Sequence, residues 1–315
     1  MAPPPKDHYG ARGNIYSIED RSLENTIGFI GLGIMGGAMA RNLCRKGFDV
    51  HAFDIREDAV QKVGEFGATA CTSAREVAVE SDFVITMLPN SEHVLDVMVN
   101  VDNVSGVMDP NTLYIDMSTI APTATDQLAQ RMSAQGKTMI DAPVGRLSSN
   151  AEEGTLLIMA GGDSVDIDRA MPVFEAIGSD IVHCGAVGAG IRMKIVNNYM
   201  SITLNALTAE TLNLADASGL DRELVYEILL GTPAGKGHLA TTYPTKVLQN
   251  DLSPGFPIDL ANKDLGLALD FASNLGVPVK SGKASEAYYW TALSQGLGRK
   301  DWTSIYQMLV DSGRK

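Results

Sequence analysis

The sequence predicts an α/β protein: a doubly wound parallel sheet followed by an all-α C-terminal domain, the two joined by a long helix. Three observations carry this. Short apolar runs alternate with helix-period segments from residue 26 to about residue 184, the pattern of strands buried on both faces and linked by crossover helices. The first of these runs ends in a glycine-rich turn. From Ile191 onward the apolar spacing is helical almost without interruption.

A chain of 315 residues is long enough for two domains, each with its own core. Hydrophobic content of 45% with 20% charged residues fits a globular protein. A formal net charge of -13 argues against nucleic acid or an anionic membrane surface as partner. It also means that an anionic ligand must be gathered by local positive groups, against the overall field. The three cysteines, Cys44, Cys71 and Cys184, show no C-x-x-C spacing, and the five histidines are scattered. The expectation is therefore no metal site, and a reducing, cytoplasmic location. No apolar run approaches the ~20 residues of a membrane span. Residues 1–24, with Pro3-Pro4-Pro5 and no period, read as a flexible tail. The expected domains are 25–187 and 188–315.

Structure is expected to begin with the strand I-G-F-I (27–30), followed by Gly31-Leu32-Gly33-Ile34-Met35-Gly36 and a helix to about Lys46. At a strand-to-helix turn these glycines have distinct uses: a tight turn, close approach of a pyrophosphate, and close helix–sheet packing. The N–H groups of the opening helical turn, at Ile34 and Met35, face the phosphates. A second strand (48–53) ends at Asp54, about twenty residues after the first glycine, where an acid accepts ribose hydroxyls and disfavours a 2′-phosphate. Arg56 keeps some NADP use open. A structural glycine turn with a surface Asp is the alternative.

The alternation continues with helix 60–66, strand 82–88, helix 91–99, strand 113–117, helix 123–135 and strand 138–142. Ligands in such sheets bind beyond the carboxyl ends of the strands. That places Leu88, Pro89, Asn90, Ser118 and Thr119 along a cofactor cleft, although each also suits an ordinary loop. Strand 155–160, helix 164–177 and strand 180–184 complete the first domain; His183 reads as structural.

Between them, D-A-P-V-G-R-L-S-S-N (141–150) gathers donors in an acidic protein. Arg146, after Gly145, carries a guanidinium fork that suits a planar or tetrahedral oxyanion. The plainer alternative is a surface pair with Glu152 or Glu153. The long helix from Ile191 places Lys194 and Asn198 on one face, one turn apart, with Asn197 beside them and Ser201 three residues further on. An amine, two amides and a hydroxyl among apolar residues suit a small polar substrate, and a desolvated Lys could protonate a carbonyl oxygen. A snorkelling Lys with amides that cap a neighbour is the alternative. The remainder is expected to be helical at 221–230, 258–275, 281–296 and 302–313. A loop at 231–244 carries Lys236 and His238, and Lys263 lies on the helix 258–275 within reach of a cleft or simply solvated.

Four ordered blocks carry a resemblance: GFIGLGIMG, DAPVGRLSSNAEEGTL, GAGIRMKIVNN and NKDLGLAL. Through them the chain, from about Asn25 to its end, resembles the β-hydroxyacid dehydrogenase family (3-hydroxyisobutyrate dehydrogenase-like). The resemblance implies a Rossmann domain that binds NAD and a small anionic aldehyde or alcohol as substrate; the mostly helical second domain with its long apolar bridging helix suggests a homodimer or homotetramer. It implies Lys194 as catalytic acid/base and Asn198 as its substrate-orienting neighbour. It also implies Thr119 and Lys263 as cofactor contacts beside the glycine turn and Asp54; the reading of the residues themselves adds Ser118, Gly145, Asn197 and Ser201 beside the substrate. Where typical members carry Ser-Gly-Gly, this chain has Gly145-Arg146-Leu147. Arg there, like NNYMSI, AGKGH and DLSPGF, is similar to the sulfolactaldehyde reductases within the family. The expected reaction is NADH-dependent reduction of 3-sulfolactaldehyde, with Arg146 on the sulfonate. The alternatives are a carboxylate semialdehyde as substrate, or a catalytically silent nucleotide-binding protein.

Overall fold

The computed structural model describes residues 25–313, so the expectation for residues 1–24 lies outside the described residues. The chain forms two units, one reaching Asn198 and the other starting at Tyr199.

In the first unit β1 (Thr26–Ile30), β2 (Asp49–Phe53), β3 (Thr69–Ala70), β4 (Phe83–Thr86), β5 (Leu113–Asp116) and β6 (Thr138–Asp141) are mutually parallel. They lie in the order β3-β2-β1-β4-β5-β6. The connecting helices are α1 (Ile34–Arg45), α2 (Glu57–Gly64), α3 (Ala74–Ala78), α4 (Ser91–Leu95) and α5 (Pro122–Ala134). A single wide turn, Asp96–Asn100, extends α4. The strand order reverses between β1 and β4, and such a reversal opens a crevice outside the carboxyl ends of the strands.

Period-two alternation builds a core on each face of this sheet. Ile27, Phe29, Phe83, Ile85, Leu113 and Ile115 pack on one side with Met39, Leu43 and Val63 of α1 and α2. Ile30, Val84 and Tyr114 point the other way, toward Val77 of α3 and Leu128 and Met132 of α5. All four residues of β4 and of β5 are buried, which is why each reads as a continuous apolar run rather than an alternating one.

Beyond β6 the chain adds β7 (Val144–Gly145), α6 (Ser148–Glu153), β8 (Leu156–Gly161), α7 (Ser164–Ile177) and β9 (Gly178–Gly185). Here the sheet departs from an all-parallel design. β8 runs antiparallel to β6 and β7, and β9 runs parallel to β8. Only α7 supplies a full crossover helix, so only β8 and β9 can be parallel neighbours in this part. An apolar run gives the strand but not its direction.

α8 (Ala189–Ala217) begins in the first unit and continues into the second. The second unit adds α9 (Arg222–Gly231), α10 (Pro233–Lys236), α11 (Ile258–Asn274), α12 (Lys280–Ser294) and α13 (Ile305–Gly313). Asp221 caps α9 by accepting the Leu224 N–H at 3.0 Å. The stretch expected as a loop contains α10, a single turn opened by Pro233, whose fixed φ suits a first helical position. Ile258, Ala292 and Met308 form this unit's small core, with Trp302 and Leu293 against it.

Candidate functional site

The glycine turn after β1 requires glycine at two places for steric reasons. Gly31 has φ +98°, and a Cβ there would lie 2.4 Å from the Met87 carbonyl oxygen. A Cβ on Gly36 would lie 2.0 Å from the Gly31 oxygen, so α1 could not pack this close to β1 with any larger residue. Gly33 differs: nothing lies within 4 Å of where its Cβ would stand. It is the N-cap of α1 and offers no side-chain acceptor, and the first bond of the helix runs from Gly37 N–H to Gly33 O. Among the described residues the N–H groups of Ile34, Met35 and Gly36 are therefore left for a ligand. Open space, free donors and the positive end of α1 fit a dinucleotide pyrophosphate.

Asp54, just past β2, spans this turn. Its carboxylate accepts the Leu32 N–H at 2.6 Å and the Arg56 N–H at 2.9 Å. It thereby fixes the turn to the end of β2. The Arg56 side chain is bound to Asp58 through Nε and Nη2, at 3.1 and 2.8 Å. At the ends of β4 and β5, Asn90 caps α4 by accepting the His93 N–H; Pro89 and Thr119 are exposed and Leu88 is half-buried. The Ser118 hydroxyl is buried, accepts the Leu88 N–H at 2.9 Å and donates to the Thr86 carbonyl. Its visible role is to tie two strand ends together.

Arg146 follows the buried Gly145 at the end of β7 and adopts φ +78°, a left-handed conformation that costs a side-chain-bearing residue about 1–2 kcal/mol. Its guanidinium donates from Nη1 to the Thr155 carbonyl (2.6 Å) and Ser179 Oγ (2.8 Å), and from Nη2 to Asp180 Oδ2 (2.6 Å). The acidic partner is thus Asp180, not Glu152 or Glu153; Glu152 pairs with Arg41. The reason is register: β8 lies between β7 and β9, and Leu157 pairs with Gly145 on one side and Asp180 on the other.

The start of α8 is fixed by a residue that sequence reasoning passed over as a strand end. The buried Asp141 carboxylate, at the end of β6, accepts the Gly188 N–H at 2.5 Å and the Ile191 N–H at 2.7 Å. Burial pushes its carboxyl above the usual range, against these two bonds. Close backbone packing accompanies it, since a Cβ on Gly190 would lie 2.1 Å from the Met159 carbonyl oxygen. From this anchored end, Ile191 is buried and Lys194 and Asn198 are half-buried along one face. Asn197 is exposed and its Nδ2 donates to Asn198 Oδ1 at 3.3 Å. Lys194 forms no ion pair among the described residues, and burial lowers its amine below the usual lysine range. A groove of about 480 Å³ lined by Val182, Cys184, Ala189, Arg192, Met193 and Val196 includes neither Lys194 nor Asn198. Ser201 and Lys263 belong to the second unit; Ser201 is exposed on α8 and Lys263 pairs with Asp264 at 2.8 Å on α11.

A family profile described as the NAD binding domain of 6-phosphogluconate dehydrogenase matches residues 26–185. A second, described as NAD-binding of NADP-dependent 3-hydroxyisobutyrate dehydrogenase, matches residues 188–309. The chain is 46% identical over 288 residues to a 3-sulfolactaldehyde reductase of Escherichia coli (strain K12), covering 91% of this chain and 97% of the relative. It is 37% identical over 291 residues to an NAD-dependent L-serine dehydrogenase of Pseudomonas aeruginosa, covering 90% and 97%. Among solved structures, a Mycobacterium tuberculosis 3-hydroxyisobutyrate dehydrogenase with L-serine superposes with a TM-score of 0.65 at 33% identity, covering 91% of this chain and 99% of the other.

Proposed function

The chain belongs to the 3-hydroxyisobutyrate dehydrogenase-like family of NAD-binding oxidoreductases, and on that premise we propose that it reduces 3-sulfolactaldehyde to 2,3-dihydroxypropane-1-sulfonate with NADH. The observation that carries the chemistry is Lys194: a half-buried amine with no acidic partner among the described residues, one helical turn from Asn198, on a helix whose start is fixed by Asp141.

The glycine turn and Asp54, with Leu88, Pro89, Asn90 and Thr119 along the strand ends, would hold NADH, which when bound would supply the hydride. Everything else falls to the chain's own residues. The charged Lys194 stabilises the alkoxide that develops on the aldehyde oxygen and hands it a proton, which is electrostatic and acid catalysis by one group. Lowering its affinity for the proton by burial makes it a better donor near neutral pH. Asn198, steadied by Asn197, orients the aldehyde. Arg146 receives the anionic end. A sulfonate presents three equivalent oxygens on a tetrahedral centre, and a guanidinium edge meets two of them. The similarity to the E. coli 3-sulfolactaldehyde reductase supports this choice of substrate.

The reading also makes the enzyme a cytoplasmic homo-oligomer. Its support is the three free cysteines and the apolar side chains that α8 leaves exposed, with Val196 at 63%, Tyr199 at 74% and Ile202 at 68%. Sedimentation would show the stoichiometry.

The deciding experiment compares NADH oxidation with 3-sulfolactaldehyde and with succinic semialdehyde. A preference for the sulfonate of about 100-fold in kcat/KM, about 2.7 kcal/mol of transition-state binding, is the expected result. The reverse preference would assign Arg146 to a carboxylate and leave the reaction type unchanged.

A further inference from the structure

We infer that Asp180 is a positioning residue that sets the anion-binding edge of Arg146. This rests on the reading that Arg146 receives the anionic group of the substrate.

A guanidinium has five N–H donors in a fixed plane. Arg146 spends three of them on the protein: both Nη1 hydrogens, on Thr155 O and Ser179 Oγ, and one Nη2 hydrogen, on Asp180 Oδ2. The two that remain are Nε–H and the second Nη2–H. In a planar guanidinium these lie parallel on the same edge, the geometry that meets two oxygens of one anion side-on. No described residue accepts from that edge. The frame is itself organised, since Ser179 Oγ donates to Asp180 Oδ2 at 2.9 Å. It spans β7, β8 and β9 through the shared pairing of Leu157 with Gly145 and Asp180. The backbone of Arg146 gives a second, independent sign. It sits at φ +78°, which side chains normally avoid, so the direction of the side chain is enforced by its surroundings.

Asp180 has two opposite effects on an incoming anion. Its charge repels the anion, whereas its grip orients the fork and removes the rotamer freedom that a loose arginine would lose on binding. The side chains of Arg146 and Asp180 are 37% and 53% exposed. Water therefore screens the repulsion, while the orientation is undiminished, and orientation wins.

The test uses the full-length enzyme at saturating NADH, with 3-sulfolactaldehyde and with propanal as an uncharged aldehyde. For Asp180→Ala, KM for the sulfonate should rise about 10-fold with kcat changed less than about 2-fold, as expected when ground- and transition-state binding are lost together. Asp180→Asn keeps an acceptor oxygen without the charge and should restore most of that KM. Ser179→Ala should shift KM in the same direction by less, and serves if Asp180→Ala does not fold. Kinetics with propanal should not change. An unchanged or lower sulfonate KM in Asp180→Ala, or an Asp180→Asn variant as impaired as Asp180→Ala, overturns the proposal. Arg146→Ala separates the two levels. If it leaves the sulfonate KM unaltered, the assignment of Arg146 to the anion falls, and this inference with it. If it raises KM while Asp180→Ala does not, only the positioning role falls.

Discussion

The carboxylate of Asp141 accepts the backbone N–H of Ile191 at 2.7 Å, across fifty residues of sequence. It also takes the Gly188 N–H, so one buried acid from the end of β6 caps the first turn of α8. A helix end buried without such an acceptor would leave its donors unpaired. Asp141→Ala removes both acceptor oxygens at once. The expected loss of stability is about 2–4 kcal/mol, the cost of leaving two buried N–H groups unsatisfied. Urea unfolding of the variant would measure it, and an unchanged midpoint would show that the bonds contribute nothing net. Because Lys194 sits one turn beyond Ile191, kcat should fall in the same variant.

The dinucleotide half was legible in the sequence because its information is local. Apolar runs marked β1, β4, β5 and β6, and the spacing of Gly31, Gly33 and Gly36 marked the turn that the structure places at the crevice. Strands β3 and β7 have two residues each, too few for any period. The antiparallel course of β8 leaves no trace in composition. Asp141 and Asp180 were hidden for a different reason. Each acts across a strand register on a group 34 or more residues away, and only the assembled sheet brings those groups together. Lys194 and Asn198 were visible together because four residues on a helix is a contact that sequence alone specifies.

The proposed role of Lys194 as proton donor predicts a pH dependence of definite sign. Burial lowers Lys194 below the usual amine range, and aldehyde reduction needs its protonated form. The kcat/KM for reduction should therefore fall as pH rises through that lowered value, at a pH below where an exposed lysine titrates. Alcohol oxidation needs the neutral amine and should rise over the same interval. Lys194→Ala should lower kcat by about 100-fold or more with NADH binding nearly intact. Reduction and oxidation profiles that move together, or near-normal turnover in the variant, would exclude Lys194 as the donor.

The cofactor preference should rest on Asp54. Its carboxylate holds the Leu32 N–H and stands where a ribose hydroxyl is expected, while Arg56 is committed to Asp58. Asp54→Ser keeps a short acceptor but removes the charge that repels a 2′-phosphate. The ratio of kcat/KM for NADH over NADPH should drop about 10-fold or more, a loss of about 1.4 kcal/mol in discrimination. If the ratio were unchanged, selection would have to lie elsewhere on the turn.

Asp116 gives the protein a second titration, one of stability. It is fully buried at the end of β5. One oxygen accepts the Thr86 hydroxyl and the Ser118 N–H, each at 3.0 Å, and the other has no partner among the described residues. Burial pushes its carboxyl from 3.8 up to about 6. The folded chain therefore keeps this proton up to about pH 6, whereas the unfolded chain releases it near pH 4. Between those values the folded state binds more protons, so this group's contribution to stability falls as pH rises, by about 3 kcal/mol in all. The full cost is present above pH 6. Asp116→Asn retains an acceptor for Thr86 and Ser118 but carries no charge at any pH. Relative to the parent, the variant should gain stability at pH 8 and gain about half as much at pH 5. Unfolding midpoints at the two pH values measure the difference, and an equal effect at both would mean that Asp116 does not hold its proton in the fold.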